Sequence, residues 1–413
     1  MTLRNPPKNF WRVIAISIWI LVLGAADATP GALLPQIEAY YSLSYSLTSL
    51  IWMGNAVGYV FVACIASKLD TVLTLRNLLT LGTVCAMMMY SLVSSGTKFP
   101  VIVLGFVCGG IGSGVGISRA NVFLSSFGER SSMYLSIGQS AYGVGATISP
   151  LIATGFVGAD ISWHFFYLVL LGCMMVSSIM IFISFSGSEI DMAPWENDGS
   201  EDIPNDHKVK LKAALQTKAT WLFAVFVFVY QGAEVSMGGW IVTYLLDYRN
   251  GGHVVGYVAS GFWGGVALGR FILVRPLHKH LGSRRSVIVC SLMSLLFVTL
   301  TWVISNVVAA GVFVSLAGFF VGPNYPIMVT LASEMLPRKI QVISLTIASA
   351  FGSAGGAFFP FLVGLLSQQV GAFVIMPMFI VLYCVMLLLW ICLPNRERRL
   401  RTTGELSLWQ KLW

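Results

Sequence analysis

Charged residues are what this sequence lacks most. Asp, Glu, Lys and Arg make up only 10% of its 413 residues, whereas a soluble domain contains about 25%. This is too little charge to cover a water-exposed surface or to keep a chain disordered. The composition therefore excludes a soluble globular enzyme and a disordered protein.

Motifs that carry chemistry are missing as well. The seven cysteines form no CxxC pair and no Cys/His spacing, so we predict neither a disulfide framework nor a zinc site. The sequence also lacks a phosphate-binding glycine loop, a nucleophile triad and an Asn-x-Ser/Thr acceptor. These absences predict a protein that is not an enzyme and that holds no metal or cofactor.

Apolar residues are abundant instead. They make up 56% of the chain, and the mean hydropathy is +0.80, so the protein needs lipid as its solvent. A membrane-spanning helix takes about 20 mostly apolar residues, and twelve such stretches occur. They run near 12–38, 47–66, 75–95, 99–122, 134–156, 163–185, 219–246, 253–274, 284–304, 308–332, 340–365 and 370–393. We predict an all-α membrane protein with two pseudo-symmetric bundles of six transmembrane helices each.

A polar, charged segment separates the two sets of six spans. It defines an N-terminal bundle at 1–185, a linker at 186–218, a C-terminal bundle at 219–393 and a basic tail at 394–413. Connecting segments of this composition stay in water, and the end of the linker has the pattern of a surface helix.

The basic residues predict the orientation. Only Lys98 and Arg249 fall in loops on one side, and Arg119 and Arg270 lie within spans or at their ends. The remaining 21 of the 25 (25 − 2 − 2) lie on the other side. Because cytoplasmic loops collect Lys and Arg, we place both termini and the linker in the cytoplasm. The net charge of +8 is then a feature of membrane topology, and no nucleic-acid partner is expected.

The two halves show signs of an internal repeat. Residues 140–143 read SAYG and residues 349–352 read SAFG, an offset of 349 − 140 = 209. Ala26-Asp27 in the first span and Ala233-Glu234 in the seventh differ by 207. Parallel six-span repeats are a transporter architecture in which the substrate site lies between the halves near the middle of the membrane.

Two acids lie deep inside these spans. Asp27 and Glu234 are each about 21–22 Å from the start of their helices. An ionisable group there costs at least about 2.5–3.5 kcal/mol, so each is either a buried hydrogen-bonding strut or a cavity carboxylate that binds substrate or carries a proton. Several neutral polar side chains within the spans could bind a hydroxylated solute together with the two acids. They are Asn55, Gln139, Tyr142, Tyr230, Gln231, Asn324 and Tyr325. Trp240 either stacks on a sugar ring or packs between helices.

Basic residues suggest an inner gate. Gly269, Arg270, Arg284 and Arg285 lie around the connection between spans 8 and 9, where they could bind lipid phosphates or latch onto helix ends. Arg119 either snorkels to the headgroups or forms an ion pair at the inner gate.

Several of these stretches carry a family resemblance. The segment from Gly269-Arg270 to Arg284-Arg285 resembles the inter-helix loop motif of the major facilitator superfamily, and residues 68–76 form a degenerate copy. Residues 27–38 (DATPGALLPQIE), 142–151 (YGVGATISPL) and 232–240 (GAEVSMGGW) resemble fungal bypass-of-stop-codon-type facilitators. They also resemble, more distantly, the branch of the fucose–proton symporter and the sodium-dependent glucose transporter.

The resemblance implies alternating access, a sugar-like substrate coupled to protons or sodium, and Asp27 and Glu234 lining the cavity. Two positions depart from it. Aligning the branch's span 4 Asn on Asn121 puts Ile117 at its acidic position, and Gln139 stands where the fungal members often carry His. Proton coupling is thereby left open. We expect a monomeric secondary transporter in the plasma membrane, in contact with lipid; the alternatives are a drug or organic-ion exporter of the same fold and a non-transporting nutrient sensor.

Overall fold

The structure is a computed structural model that describes residues 1–127, 130–191 and 211–393. These residues form helices and their connections, with no β-strand among them. Eleven of the described helices are long and apolar enough to cross a membrane, which agrees with the predicted all-α fold. Most of the predicted linker and the whole predicted tail at 394–413 lie outside the described residues.

Seven helices of the described residues build most of the first half. They are α1 (Asn9–Tyr41), α2 (Tyr45–Thr48), α3 (Leu50–Val72), α4 (Leu75–Ser94), α5 (Phe99–Ser125), α6 (Ser131–Gly158) and α7 (Phe166–Ser184). Side-chain oxygens cap the N-termini of α2 and α4. Ser44 accepts a hydrogen bond from the backbone N–H of Leu47, and Thr74 accepts one from the backbone N–H of Asn77. Each of the first six predicted spans corresponds to one long helix.

Seven helices of the described residues likewise build most of the second half, after a short helical segment at 211–216. They are α8 (Lys218–Asp247), α9 (Gly256–Ile272), α10 (Val274–Val303), α11 (Val307–Val321), α12 (Asn324–Met335), α13 (Arg338–Val370) and α14 (Ile375–Ile391). The tenth predicted span is divided into α11 and α12, which meet at Gly322-Pro323. The predicted span at 253–274 is α9, whose 17 residues fall just short of the usual length of a span.

The contacts divide the helices into two compact units. One is Met1–Glu201 with Gly251–Ser260, and the other is Asp202–Asn250 with Gly261–Trp413. In the first unit α1 packs along α6 and α5 packs between α3 and α4; in the second, α8 packs along α13 and α10 against α11 and α14. The predicted domain boundaries at 186 and 218 stay a prediction.

Two glycines show that the repeat extends to helix packing. A Cβ atom on Gly145 of α6 would lie 1.9 Å from the carbonyl oxygen of Leu21 in α1, and one on Gly355 of α13 would lie 1.9 Å from that of Phe228 in α8. Only a residue without a side chain permits such contact between backbones. The two glycines are 355 − 145 = 210 residues apart, close to the offsets seen in the sequence.

A buried arginine fixes the start of α1. Arg12 is fully buried; its Nε donates to the carbonyl oxygen of Ser184 at 3.0 Å and its Nη2 lies 2.6 Å from a carboxylate oxygen of Asp191. A buried charge is tolerated when it is paired and hydrogen-bonded in this way. The contact ties α1 to the end of α7, and the sequence analysis did not predict it.

Candidate functional site

Asp27 stands out on α1 because it is exposed where its neighbours are not. Ala26, Ala28 and Thr29 are buried, whereas the Asp27 side chain is exposed and its Oδ2 accepts a hydrogen bond from the hydroxyl of Tyr142 at 3.0 Å. The first unit therefore presents a carboxylate whose hydrogen-bond partner is a neutral side chain.

The position of this pair is set by tight packing of α1 on α6. A Cβ atom on Gly24 would lie 2.2 Å from the carbonyl oxygen of Tyr142, so the two backbones touch one turn before Asp27. Just beyond it, the hydroxyls of Thr29 and Ser149 are hydrogen-bonded to each other. Backbone contact on one side and a polar contact on the other hold Asp27 and Tyr142 in register.

Glu234 has a different environment in the second unit. Its side chain is only 2% exposed, and Arg270 Nη2 donates to Oε1 at 2.8 Å and Oε2 at 3.2 Å. Arg270 also donates to the hydroxyl of Tyr230 at 3.2 Å and to the carbonyl oxygen of Gly322 at 3.3 Å. Glu234 is thus buried together with a cation, and the pair joins α8, α9 and the end of α11.

Arg270 lies in the last turn of α9, which ends at Ile272, and its predicted role in an inner latch stays a prediction. An arginine at the end of a span requires an acidic or carbonyl partner. Its guanidinium meets that requirement on Glu234.

Aromatic rings extend the Glu234–Arg270 pair to two more helices. The rings of Tyr230 and Tyr325 stack with centroids 6.1 Å apart, and the Tyr325 hydroxyl lies 3.4 Å from that of Ser349 in α13. Next to Tyr325, Asn324 is fully buried and donates to the hydroxyl of Ser291 in α10 at 3.3 Å. The second unit thus builds a polar cluster around Glu234 and Arg270, and Asn324, adjacent to Tyr325 in the chain, contacts α10.

The remaining predicted contact residues are spread over several helices. Gln139 is exposed on α6, while Asn55 on α3 and Gln231 on α8 are half-buried. Among the described residues no hydrogen bond joins any of these three to Asp27 or Glu234. Trp240 is fully buried, and its indole N–H donates to the carbonyl oxygen of Pro360 at 2.9 Å, so its ring packs between α8 and α13.

Arg119 forms an ion pair. Its Nε lies 3.0 Å from Oδ1 of Asp70, and its side chain is 13% exposed whereas that of Asp70 is 53% exposed. Arg119 thus has an ion-pair partner, and its predicted role at an inner gate stays a prediction. The partner comes from the last turn of α3, which extends beyond the predicted end of the second span.

Arg284 binds the end of a helix within its own unit. It is buried, and its guanidinium donates to the carbonyl oxygens of Ile391 (2.8 Å) and Leu393. In return, the indole N–H of Trp390 donates to the carbonyl of Arg284 at 2.9 Å. These contacts hold α10 to the end of α14, where the carbonyls lack helical partners.

The first unit contains the counterpart of this contact. Arg76 at the start of α4 donates to the carbonyl oxygen of Phe182 near the end of α7 at 3.0 Å, and the offset is 284 − 76 = 208. Of the other predicted latch residues, Arg285 is half-buried beside Arg284. A Cβ atom on Gly269 would lie 1.9 Å from the carbonyl oxygen of Phe319, so Gly269 allows α9 to pack closely on α11.

Replacing Arg284 with methionine is expected to lower the stability of the second unit. The carbonyls of Ile391 and Leu393 would lose a charged donor in a buried site, which costs about 2–3 kcal/mol. Thermal unfolding of the purified protein in detergent measures the change. Arg275→Met, an exposed residue on the same helix, is the control, and equal stability of the two variants would contradict the assignment.

The comparison with known families decides what kind of protein this is. The profile of the Major Facilitator Superfamily matches residues 16–314 and 236–413. The chain belongs to the Major Facilitator Superfamily. It is therefore a multi-pass membrane transporter, and the family resemblance noted in the sequence is confirmed.

Named members of the superfamily align over most of the chain. It is 27% identical over 389 residues to Bypass of stop codon protein 6 of Saccharomyces cerevisiae, covering 87% of this chain and 78% of that protein. It is 23% identical over 410 residues to the Glucose/mannose transporter GlcP of Bacillus subtilis, covering 95% and 96%. The solved structure of the Escherichia coli Fucose:proton symporter FucP is similar in fold, with a TM-score of 0.62, 14% identity and coverage of 95% and 98%.

Proposed function

We propose that this superfamily member is a secondary active transporter that moves a small hydroxylated, sugar-like solute by alternating access and is driven by a proton or sodium gradient. In this proposal Asp27 is the residue that binds the coupling ion. The observation that carries it is the exposed carboxylate of Asp27 in the apolar middle of α1, with the neutral Tyr142 as its hydrogen-bond partner at 3.0 Å.

A carboxylate inside a membrane span carries a high energetic cost. Such a group is retained where water, a cation or a proton can reach it. Asp27 is exposed on its unit, and Tyr142 leaves the other carboxylate oxygen available. Glu234 is unsuited to the same task, because binding an ion there would require breaking its two contacts to Arg270.

The substrate class rests on the groups beside Asp27 and on a relative. Gln139 and Tyr142 are three residues apart on α6 and therefore lie on one face of that helix. An amide and a phenol supply both donors and acceptors, as a polyhydroxylated solute requires. The relative GlcP is named as a glucose/mannose transporter, which favours hexoses as the first candidates.

The orientation proposed for the transporter follows from charge. The basic residues of the sequence concentrate on one side of the predicted spans, and the positive-inside tendency then places both termini in the cytoplasm. We further propose that it acts as a monomer in the plasma membrane.

Counterflow in proteoliposomes tests the substrate class. Vesicles preloaded with unlabelled glucose or mannose should take up labelled hexose, and polyols, amino acids and organic acids should compete less well. A deoxy-hexose that lacks one recognised hydroxyl should compete about 2–10-fold less well, because one hydrogen bond contributes about 0.5–1.5 kcal/mol.

Three outcomes would contradict the proposal. Flux of amino acids or organic acids in preference to hexoses would reject the substrate class. Hexose binding without flux would indicate a sensor. Export of lipophilic cations that hexoses do not inhibit would indicate the exporter.

A further inference from the structure

An apolar groove runs along the first unit between α1 and α6. It has a volume of about 390 Å³, and its lining includes Phe10, Ile14 and Leu21 on one side and Met133 and Ile137 on the other. From Phe10 to Leu21 is about 16 Å along the helix, about half of the 30 Å hydrocarbon thickness of a bilayer. The length of the groove along the helices therefore corresponds to the hydrocarbon thickness of one leaflet.

Both helices begin at the same end of this groove. Gly138 packs on Ile20, and Gly24 packs on the backbone of Tyr142, so contacts advance along α1 and α6 in the same direction and the helices are parallel. Neither helix has an acidic residue in its first turn, and neither has a side-chain hydrogen bond at its N-cap. Two helix N-termini without a side-chain cap thus flank one end of the groove, and such ends favour anions.

Three basic residues lie at that end. Arg4 and Arg130 are exposed, and Lys8 is exposed while also donating to the carbonyl oxygen of Ser186 at 2.9 Å. Lys8 and Arg130 are the N-cap residues of α1 and α6. Asp191 is already paired with Arg12.

We infer that the groove binds one acyl chain of an anionic phospholipid, with the lipid phosphate held among Arg4, Lys8 and Arg130. The groove matches such a lipid in both shape and charge. Its apolar part is as long as one leaflet is thick, and basic residues and two helix N-termini lie at one end of it. Asp27 and Tyr142 take no part in this site, so the inference is independent of the proposed substrate.

Native mass spectrometry of the purified full chain can test the site. The protein is titrated with phosphatidylglycerol or phosphatidylcholine of the same acyl chains, and the fraction that retains one lipid is measured. Phosphatidylglycerol should bind more tightly. Arg4→Ala/Arg130→Ala should weaken its binding roughly 30-fold, since two basic residues near an anionic headgroup are removed, and should change phosphatidylcholine binding little.

Further variants test the groove itself. Ile14→Trp/Ile137→Trp fills it and should weaken retention of both lipids. Two controls alter exposed positions in the other unit: Lys212→Ala/Lys218→Ala for charge and Leu296→Trp on α10 for bulk. Size-exclusion profiles confirm that each variant is folded.

Three results would overturn the inference. The first is equal binding of the two lipids by the unaltered protein. The second is an unchanged preference for phosphatidylglycerol in Arg4→Ala/Arg130→Ala. The third is an equal loss of phosphatidylglycerol binding in the charge control Lys212→Ala/Lys218→Ala, which would indicate diffuse electrostatics.

Discussion

Replacing Asp27 with asparagine is expected to abolish ion-driven accumulation while leaving exchange of the solute intact. Asparagine keeps the size of the side chain and accepts from Tyr142, but it can neither bind a proton nor neutralise a cation. With one coupled proton, a gradient of one pH unit sustains at most about tenfold accumulation, because a factor of ten corresponds to about 1.4 kcal/mol. In proteoliposomes the ratio should fall to about one.

The neighbouring hydroxyl supplies the matched control for this experiment. Tyr142→Phe removes the 3.0 Å hydrogen bond to Asp27 and leaves the carboxylate in place. Accumulation should therefore persist, with the apparent affinity for the ion changed by about 2–10-fold. Counterflow at equal pH, measured on the same vesicles, separates loss of coupling from loss of binding. Uphill uptake by Asp27→Asn equal to that of the unaltered protein would reject Asp27 as the coupling residue.

The spans could be predicted from the sequence because lipid imposes one strong requirement. Every backbone polar group in the membrane must form its hydrogen bond within its own helix. A long apolar run therefore predicts a membrane-spanning helix. The repeat was also readable, and it reaches as far as the equivalent contacts of Arg76 and Arg284. The ends of the helices were harder to predict, because hydropathy detects the part of a helix that contacts lipid and not the point where the helix stops. For example, α3 continues to Val72, beyond the apolar run that ends near residue 66.

The pairing of charges could not be predicted from a list of spans. Asp27, Arg119, Glu234 and Arg270 are two acids and two bases within spans or at their ends, and matching them half by half would give Asp27–Arg119 and Glu234–Arg270. The second pair is present, whereas Arg119 binds Asp70. The rotation of each helix about its axis decides such contacts, and sequence spacing alone does not fix it. The requirement that an arginine in a span needs a partner was the available signal for Arg270.

Removing either member of the Glu234–Arg270 pair is expected to destabilise the second unit strongly. Breaking a buried ion pair costs about 3–5 kcal/mol because a charge is left without compensation. The 23% exposure of Arg270 lets water reach the arginine left in Glu234→Gln, which puts that variant at the lower end of the range. Arg270→Gln strands the carboxylate, which is only 2% exposed, and should be the less stable of the two. Thermal unfolding in detergent measures both.

The double variant Glu234→Gln/Arg270→Gln separates an ion pair from two independent roles. It leaves no uncompensated charge, and two amides can hydrogen-bond to each other, so its loss of stability should be smaller than the sum of the single losses by about 1–3 kcal/mol. Additive losses would show that the two side chains act separately. Uphill uptake lost in Glu234→Gln at unchanged stability, with exchange preserved, would transfer the coupling role from Asp27 to Glu234. Because Asp27 and Glu234 hold equivalent places in the repeat, the transport and unfolding measurements together determine which of the two acids couples the ion and whether Glu234 serves to hold α8 to α9.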